Sequence, residues 1–354
     1  MTTRAGAPDA VWPRRFRRVR VGALDAMVDV RAAIVICALV VAAVLVSVWA
    51  TTLGDTPTGL GDVWSVLTGG GGESVRRVVL EWRMPRVVTA LVAGAALGAS
   101  GAIFQSLTRN PLGSPDIIGF NTGAYTGALI GLLVIGGSYV VTAIGALIGG
   151  ILTAVAVYAL AYSRGVQGHR LIVVGIGMSA LLSSFNGYLI VNARLEEAIT
   201  AAAWGAGSLA DITWTETVPM ICVVAVLLPL SMLMARSLRL LEMGDDSAVA
   251  LGVRAEPVRR LMVLVGIGLT ASVTAVAGPI AFVALAAPQI AQRIVRTAGV
   301  TLPSAAAMGA VVLVVSDVLA RIAIPDHPLP VGVVTVCVGG GYLLWLLLSQ
   351  SRRA

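Results

Sequence analysis

Ten apolar runs, each close to the length of a membrane-spanning helix, follow one another along this 354-residue chain. A helix needs roughly 20 mostly apolar residues to cross the hydrocarbon core of a bilayer. We therefore predict an all-α polytopic membrane protein with about ten transmembrane helices. Near residues 136–139 and 278–279, two neighbouring runs could instead form one long kinked helix. The runs lie near residues 32–51, 87–107, 117–135, 139–161, 171–191, 217–235, 259–277, 279–295, 303–323 and 331–349.

Arginines in the short connections set the expected orientation, because cytoplasmic loops of membrane proteins carry an excess of basic residues. If the basic arm over residues 1–30 is cytoplasmic, ten spans return the C-terminus with Arg352 and Arg353 to the same side. The arm and first run resemble a signal peptide, but no convincing cleavage site follows, so we expect a retained first helix. Residues 31–354 then form one transmembrane domain. The connections predicted inside carry Arg109, Arg164, Arg170, Arg236, Arg239, Arg254, Arg259, Arg260, Arg293 and Arg296.

A second set of arginines falls on the side predicted to be extracytoplasmic, against the usual charge bias. These residues should have a partner. Asp317 and Arg321 are four residues apart, so they share a helix face and could neutralise each other, or Arg321 could have a functional role. The set is Arg76, Arg77, Arg83, Arg86, Arg194 and Arg321.

The connection over residues 108–125 holds two prolines, three glycines, two asparagines and Asp116 between two apolar runs. Irregular backbone at membrane depth is tolerated only where protein or a water-filled cavity covers it. We expect this segment to border a pathway, or else to be a short surface turn. The flanking runs repeat small residues every fourth position, as at Gly94 and Gly98 or Gly123 and Gly127, which predicts close helix packing.

The longest polar interruption of the second half lies at residues 235–260 and carries both signs of charge. Residues 245–251 could form a short helix that opens with an acidic cap and closes at Gly252. Such a helix on the inner face would dock another protein, whereas the alternative is a solvated loop.

Several chemistries are absent from the sequence. All 25 basic residues are arginine, so the lysine of a phosphate-binding loop is missing and any ATP must bind another polypeptide. No basic stripe indicates nucleic-acid binding. Cys37, Cys222 and Cys337 are far apart in apolar runs, which predicts buried, inert thiols. The residues around Ser179 faintly resemble an intramembrane protease, but neither histidine lies within a span where it could serve as base.

Four segments resemble the permease subunits of type II ABC importers, which carry ferric siderophores, haem and cobalamin. They are RMPRVVTALVAGAALGASGAIFQSLTRNPLGSPDIIGF (83–120), LEMGDDSAVALGV (241–253), GPIAFVALAAPQIAQRIVR (278–296) and PLPVGVVTVCVGGGYLLWLL (328–347). The resemblance implies the family's fold of ten helices per subunit. It also implies two permeases side by side, as a homodimer or a paralogous pair, above two ATPase subunits that bind ATP and magnesium. An extracytoplasmic binding protein would deliver the substrate. The chain itself would be no enzyme and would hold no cofactor or metal.

Residue roles follow from the resemblance position by position. Arg83, Arg86 and Arg321 match outer arginines that meet acidic residues of the binding protein. Asn110 and Leu112 match the cytoplasmic gate, and Gly168 and His169 align with its second element. The coupling segment, about residues 236–258, matches the part that sits in a cleft of the ATPase, with Glu242, Gly244, Asp245, Asp246, Leu251 and Gly252 at its centre.

Gln289 follows Pro288 where many relatives have histidine, and this variant looks more like the ferric-enterobactin branch. We therefore expect a ferric siderophore as substrate, with cobalamin or haem as the alternatives within the family. The rival from another class is a secondary transporter driven by an ion gradient, for which Asp317 would be the intramembrane carboxylate.

Overall fold

The computed structural model describes residues 16–21, 24–54, 56, 58–116, 118–136, 138–161, 168–297, 299–324 and 328–351. The strands are β1 (Phe16–Val21) and β2 (Leu24–Asp29). The helices are α1 (Val30–Ala50), α2 (Leu60–Leu67), α3 (Glu73–Arg77), α4 (Met84–Thr108), α5 (Phe120–Leu129), α6 (Tyr139–Ala161), α7 (Gly168–Val191), α8 (Leu195–Gly205), α9 (Trp214–Leu233), α10 (Ala235–Glu242), α11 (Asp245–Ala250), α12 (Ala255–Ala277), α13 (Val283–Val295), α14 (Leu302–Ile322) and α15 (Val331–Ser351). Two π-helical segments, Val78–Arg83 and Ile130–Val134, join α3 to α4 and extend α5.

All ten apolar runs are helical, which confirms the prediction of an all-α polytopic membrane protein. Within the described ranges, seven helices are long and apolar enough to cross a membrane, and shorter apolar helices accompany them. The two places where neighbouring runs could have formed one long helix both separate distinct helices. The π-helical segment after α5 ends at Val134 and α6 begins at Tyr139, while α12 ends at Ala277 and α13 begins at Val283.

The buried centre of the bundle is α4, in which residues 96–106 are all buried. Its small-residue face lies directly on α14: a methyl group added to Gly98 would overlap the carbonyl oxygen of Ala305. A methyl group on Gly127 of α5 would likewise overlap Gly145 of α6. The predicted close packing through small residues is therefore confirmed at these two helix pairs.

Two helices, α5 and α13, begin inside the bundle rather than at its ends. We call the end with Thr108, α10 and α11 the inner end, and the end with Arg83 and Arg321 the outer end. The first turn of α13 packs on Gly101 of α4, about 10 Å along the helix axis from Thr108. The residue before α5, Gly119, packs on Ser179, about 16 Å from the start of α7.

Several details differ from the sequence-based expectation. In the basic arm, β1 and β2 pair as an antiparallel two-stranded sheet, with Phe16 opposite Asp29 and Val21 opposite Leu24. The second span extends outward as one 36-residue helix, Glu73–Thr108, which is longer than the apolar run. The prediction of buried thiols is wrong, since Cys37, Cys222 and Cys337 are exposed at the surface of the single chain. In the membrane, that surface faces lipid or a neighbouring subunit.

Candidate functional site

Three charged side chains from two helices meet near the outer end. Arg86 of α4 donates through Nε (3.0 Å) and Nη2 (2.8 Å) to Oδ1 of Asp317 on α14. Arg321, one turn further along α14, donates to Oδ2 of the same carboxylate. Asp317 is 1% exposed, so this cluster is buried with an excess of one positive charge. Mutual neutralisation of Asp317 and Arg321 is confirmed, and Arg86 is a third member.

Arg83 is also internal, and only 7% of its surface is exposed. Its guanidinium donates to the carbonyl oxygens of Thr51 (2.9 Å) and Thr56 (2.6 Å) and to the hydroxyl of Thr58. Because an arginine with buried, hydrogen-bonded nitrogens offers little to a partner, Arg83 is not the open outer-face group that we expected. Arg321 is similarly occupied, since its Nη1 donates to the carbonyl of Ala50 at 3.0 Å. The docking role of these arginines stays a prediction.

The proposed gate lies in the turn that follows α4. Arg109 ends this helix in the left-handed conformation (φ 50°), which turns the chain sharply towards Asn110. The Asn110 side chain accepts a hydrogen bond from the backbone N–H of Leu112 at 2.9 Å, a local turn typical of asparagine. This bond leaves the Leu112 side chain exposed at the inner end. Residues 110–116 are called the gate turn below.

The second gate element, Gly168 and His169, starts α7 at the same end of the bundle. His169 is exposed, while Leu171, two residues later, is buried in a cluster with Phe104 of α4 and Ile118. Ser179 lies ten residues after His169, about 15 Å along the axis of α7. His169 therefore cannot act as a base for Ser179, in keeping with the exclusion of a protease.

Gln289 holds the gate turn from α13. Its side-chain nitrogen donates to the carbonyl oxygen of Pro111 at 2.8 Å and to Oε1 of Gln105 at 3.2 Å. Gln105 in turn donates to the carbonyl of Leu285 at 3.0 Å. Both glutamines are buried, and their amides join α4, α13 and the gate turn.

Asp116 ends the gate turn and lies between the first residues of α5 and α13. Its Oδ2 accepts from the backbone N–H of Phe282 at 3.2 Å, and its Oδ1 accepts from Nδ2 of Asn121 at 2.6 Å. Phe282 precedes α13 in the left-handed conformation (φ 68°). We expected the connection over residues 108–125 to border a pathway, and the structure places it partly inside the bundle.

The coupling segment forms two short helices, α10 and α11, packed against the inner ends of α4 and α12. Asp245 does not cap α11 as expected. Its Oδ1 accepts from Arg109 Nη2 at 2.7 Å, and its Oδ2 accepts from Arg259 Nη2 at 2.7 Å. Glu242 accepts a hydrogen bond from Ser106 of α4. Gly252 closes the helix in the left-handed region (φ 84°), as predicted.

The surroundings of these two carboxylates move their pKa values in opposite directions. Burial alone would raise the pKa of Asp245, but the hydrogen bonds and charges of Arg259 and then Arg109 outweigh it and lower the pKa. Burial raises the pKa of Glu242, against the opposing hydrogen bond of Ser106 and the charge of Arg239. Asp245 is therefore firmly ionised and joins α4, α11 and α12 through one anion.

The coupling segment exposes a cluster of apolar side chains. Met243, Val249 and Leu251 are 67%, 60% and 61% exposed, although α10 and α11 otherwise turn their apolar residues inward. Asp246 is exposed beside them, and Gly244 adopts φ 114° between the helices. An exposed apolar tip on a charged segment that is fixed from beneath is suited to insertion into a cleft of another protein.

Sequence reasoning missed Arg86 as a partner of Asp317. It also missed that Asp116 and Gln289 connect the gate turn to α13. The first pair is separated by 231 residues, so no local spacing reveals it. Asp116 carried one usable signal, a carboxylate next to proline and glycine between two apolar runs. Among the described residues, no group of three His, Cys, Asp or Glu could hold a metal ion.

Comparison with known proteins is consistent with this arrangement. The ferric enterobactin transport system permease protein FepG of Escherichia coli K12 is 48% identical over 324 residues, covering 91% of this chain and 98% of that protein. The Fe(3+) dicitrate transport system permease protein FecD of the same organism is 36% identical and covers 77% of this chain and 86% of its own length.

Among solved structures, one described as a metal-chelate type ABC transporter in an inward-facing conformation superposes with a TM-score of 0.77. It is 25% identical and covers 90% of this chain and 99% of its own. The profile of the FecCD transport family matches residues 27–349. These matches confirm the resemblance to ABC importer permeases, and the chain belongs to the FecCD transport family.

Proposed function

We propose that this chain is the transmembrane permease subunit of an ABC importer that moves a ferric siderophore into the cytoplasm. The observation that carries the proposal is the 48% identity to a ferric enterobactin permease over nearly the whole of both chains. Relatives named for dicitrate and hemin transport are less similar, at 36% and 29% identity. An enterobactin-like chelate is therefore preferred over haem or cobalamin.

ATP hydrolysis belongs to two separate ATPase subunits, which bind ATP and magnesium beneath this chain and a second permease. The exposed tip at Met243, Val249 and Leu251 fits an ATPase cleft. Force at α11 reaches the gate through Asp245, because its carboxylate is paired with Arg109 and the gate turn begins at the next residue. Substrate passes Asn110 and Leu112, with Gly168 and His169 as the second gate element.

The binding protein docks on the outer end, which faces away from the cytoplasm if both termini are cytoplasmic. Arg86 is the most accessible of the three arginines with a proposed docking role, with 18% of its side chain exposed, and Arg321 shares its Asp317 partner. Arg76 and Arg77, further out on the same continuous helix, are exposed. They extend the positive surface that acidic groups of a binding protein would meet.

An ion-gradient transporter is not favoured. Such a protein needs an intramembrane carboxylate that can exchange its ion. Asp317 is already compensated by Arg86 and Arg321, and Asp116 has hydrogen bonds to both of its oxygens.

Co-purification tests the assignment directly. The tagged chain is expressed together with the other transporter proteins of its own organism, and the proteins that co-purify with it are identified. The wild-type chain should retain an ATPase, and Leu251→Asp should lose it because a charge would enter an apolar contact. Leu67→Asp is the matched control, since Leu67 is 52% exposed at the outer end. No ATPase with the wild-type chain, or equal recovery with both variants, would contradict the proposal.

A further inference from the structure

The gate turn touches α13 at two separate points, one at each of its ends. Pro111, near its start, accepts from Gln289 in the middle of α13. Asp116, at its end, accepts from the backbone N–H of Phe282, which begins α13. The two α13 residues are seven positions apart, or about 10 Å along a helix. Because it is held at two points this far apart, the gate turn cannot rotate freely relative to α13.

Asp116 gains stability from its position as well as from its hydrogen bonds. The N-terminal ends of α5 and α13 both approach it, and a helix N-terminus carries about half a positive charge. A buried carboxylate is strongly disfavoured unless such groups compensate it. Asp116 is thus held where the two helices begin, and moving α13 away would remove its hydrogen bond from the backbone N–H of Phe282.

Gln289 contributes in a different way. As a donor to both Pro111 and Gln105, its amide needs both of its N–H groups directed at the gate turn and α4. A side chain without a donor at this position would release the carbonyl of Pro111. It would also leave Oε1 of the buried Gln105 without this donor, which is costly.

At its start, the gate turn is tied to the coupling segment. Arg109, directly before it, donates to Asp245 at 2.7 Å and through Nε to the carbonyl of Leu241 at 3.2 Å. Contacts therefore run without a break from α11 through Arg109 and the gate turn to α13. The apolar contact between Gly101 and Ala284 lies beside this path but crosses only from α4 to α13.

We propose that Asp116 and Gln289 are positioning residues that clamp the gate turn to α13, so that α13 moves with the turn as one gate element. This proposal rests on the proposed importer function and names α13 as a moving part of the gate. The effect of the two residues is to make the motion of α11 open and close the pathway instead of only deforming the turn.

The first test needs no substrate. Arg109 places a trypsin site directly before the gate turn, so the rate of cleavage after Arg109 in the purified full-length chain reports how tightly the turn is held. Asp116→Ala and Gln289→Leu should each raise that rate about tenfold, the loss expected for one buried charged or amide hydrogen bond. Asp116→Asn should give a smaller rise, because its amide oxygen can still accept from Phe282. Glu196→Ala, an exposed carboxylate on α8, is the control.

The second test uses the assembled transporter in proteoliposomes with ferric enterobactin as the probe. Asp116→Ala and Gln289→Leu should hydrolyse ATP at close to the wild-type rate while iron transported per ATP falls about tenfold. Asp116→Asn should recover part of that ratio. A purely structural role would instead lower both rates together.

The outcomes separate the two proposals. If the wild-type complex carries no iron, the importer function fails, and the cleavage rates still decide whether the clamp exists. If cleavage after Arg109 and iron transported per ATP are unchanged in Asp116→Ala and Gln289→Leu, the clamp is wrong. The clamp is also wrong if Asp116→Asn changes cleavage after Arg109 and iron transported per ATP as much as Asp116→Ala does, although both variants melt at the wild-type temperature. If Asp116→Ala does not assemble, Asp116→Asn and Gln289→Leu decide between these outcomes.

Discussion

Asp317 compensates arginines from two helices at the outer end of the bundle. It is buried, and Arg86 and Arg321 would repel each other without it. Breaking a buried ion pair is much more costly than breaking an exposed one, because the remaining charges cannot return to water.

Asp317→Asn should therefore destabilise the chain severely. The side chain keeps its shape but leaves two buried guanidinium groups uncompensated, at a cost of about 3–5 kcal/mol in the free energy of unfolding. The melting temperature of the detergent-purified chain measures this effect. Glu73→Gln, which removes an exposed partner of Arg77, should not change it. Equal melting temperatures for wild type and Asp317→Asn would refute the ion cluster as a stabilising element.

Asp245 should make stability depend on pH in a defined direction. The pKa of this carboxyl is lower in the folded chain than its ordinary value, so ionisation stabilises the fold above the unfolded pKa of about 3.9. That contribution is lost as pH falls through the lowered pKa. Asp245→Asn should melt below wild type at neutral pH, and the difference should shrink at pH values below about 4.

Thermal scans between neutral and acidic pH check this prediction. Asp246→Asn, at the exposed neighbouring carboxylate, should melt like wild type throughout. A penalty for Asp245→Asn that is constant at every pH would mean that charge plays no part in holding α11.

How far single residues could be predicted depended on sequence separation. Asp317 and Arg321 are one helical turn apart, and their pairing was predicted from that spacing. Arg86 and Arg83 were predicted as surface groups because charge bias reports which end of a helix they occupy, not whether neighbouring segments cover them. Burial of Arg83 comes from the connection around Thr56, which has no apolar pattern to reveal where it folds.

At the level of helices, α4 and α14 approach so closely that glycine and alanine are required. Gly98 faces the backbone of Ala305, and Gly309 faces Gly94. In a bilayer, such close packing replaces the hydrophobic effect as the force between helices.

Gly98→Val should force these two helices apart. Overpacking a tight contact costs about 1–3 kcal/mol or more, so the melting temperature and the yield of folded chain should both fall. Gly187→Ala on α7 is the control, because an added methyl group meets nothing within 4 Å there. If both variants melt at the wild-type temperature, the contact between α4 and α14 is not the tight interface described above.

The apolar runs predicted the order of the long apolar helices well, because hydrocarbon thickness fixes the length of a span. They did not predict that α5 and α13 begin inside the bundle. Both runs look like ordinary spans, and only tertiary contacts such as Asp116 with Phe282 place their first residues inside the bundle. The short helices α2, α3 and α8 were missed because they are too short to produce a span-length signal. The short helix α11 was predicted from its acidic start and from Gly252.

The two ends of the bundle expose different surfaces. The inner end exposes an apolar tip around Leu251, and the outer end exposes Arg76 and Arg77. Charged residues at the edge of a protein–protein interface mainly set the association rate and its dependence on salt.

The double variant Arg76→Glu and Arg77→Glu should weaken binding of the extracytoplasmic binding protein several-fold at low salt, with a smaller effect at high salt. The melting temperature should not change, because both side chains are exposed. Surface plasmon resonance against the immobilised permease complex measures the affinity. Unaltered affinity at low salt would place docking elsewhere on the outer end.

If ATP, and not an ion gradient, drives a ferric siderophore through this chain, transport should depend on ATP alone. The measurement is uptake of radioactive ferric enterobactin into proteoliposomes that hold the permease, its ATPase and its binding protein. Uptake should require ATP on the ATPase side, persist when ionophores abolish all ion gradients, and be lost with Leu251→Asp. Uptake that stops with the ionophores and continues without ATP would contradict ATP-driven transport.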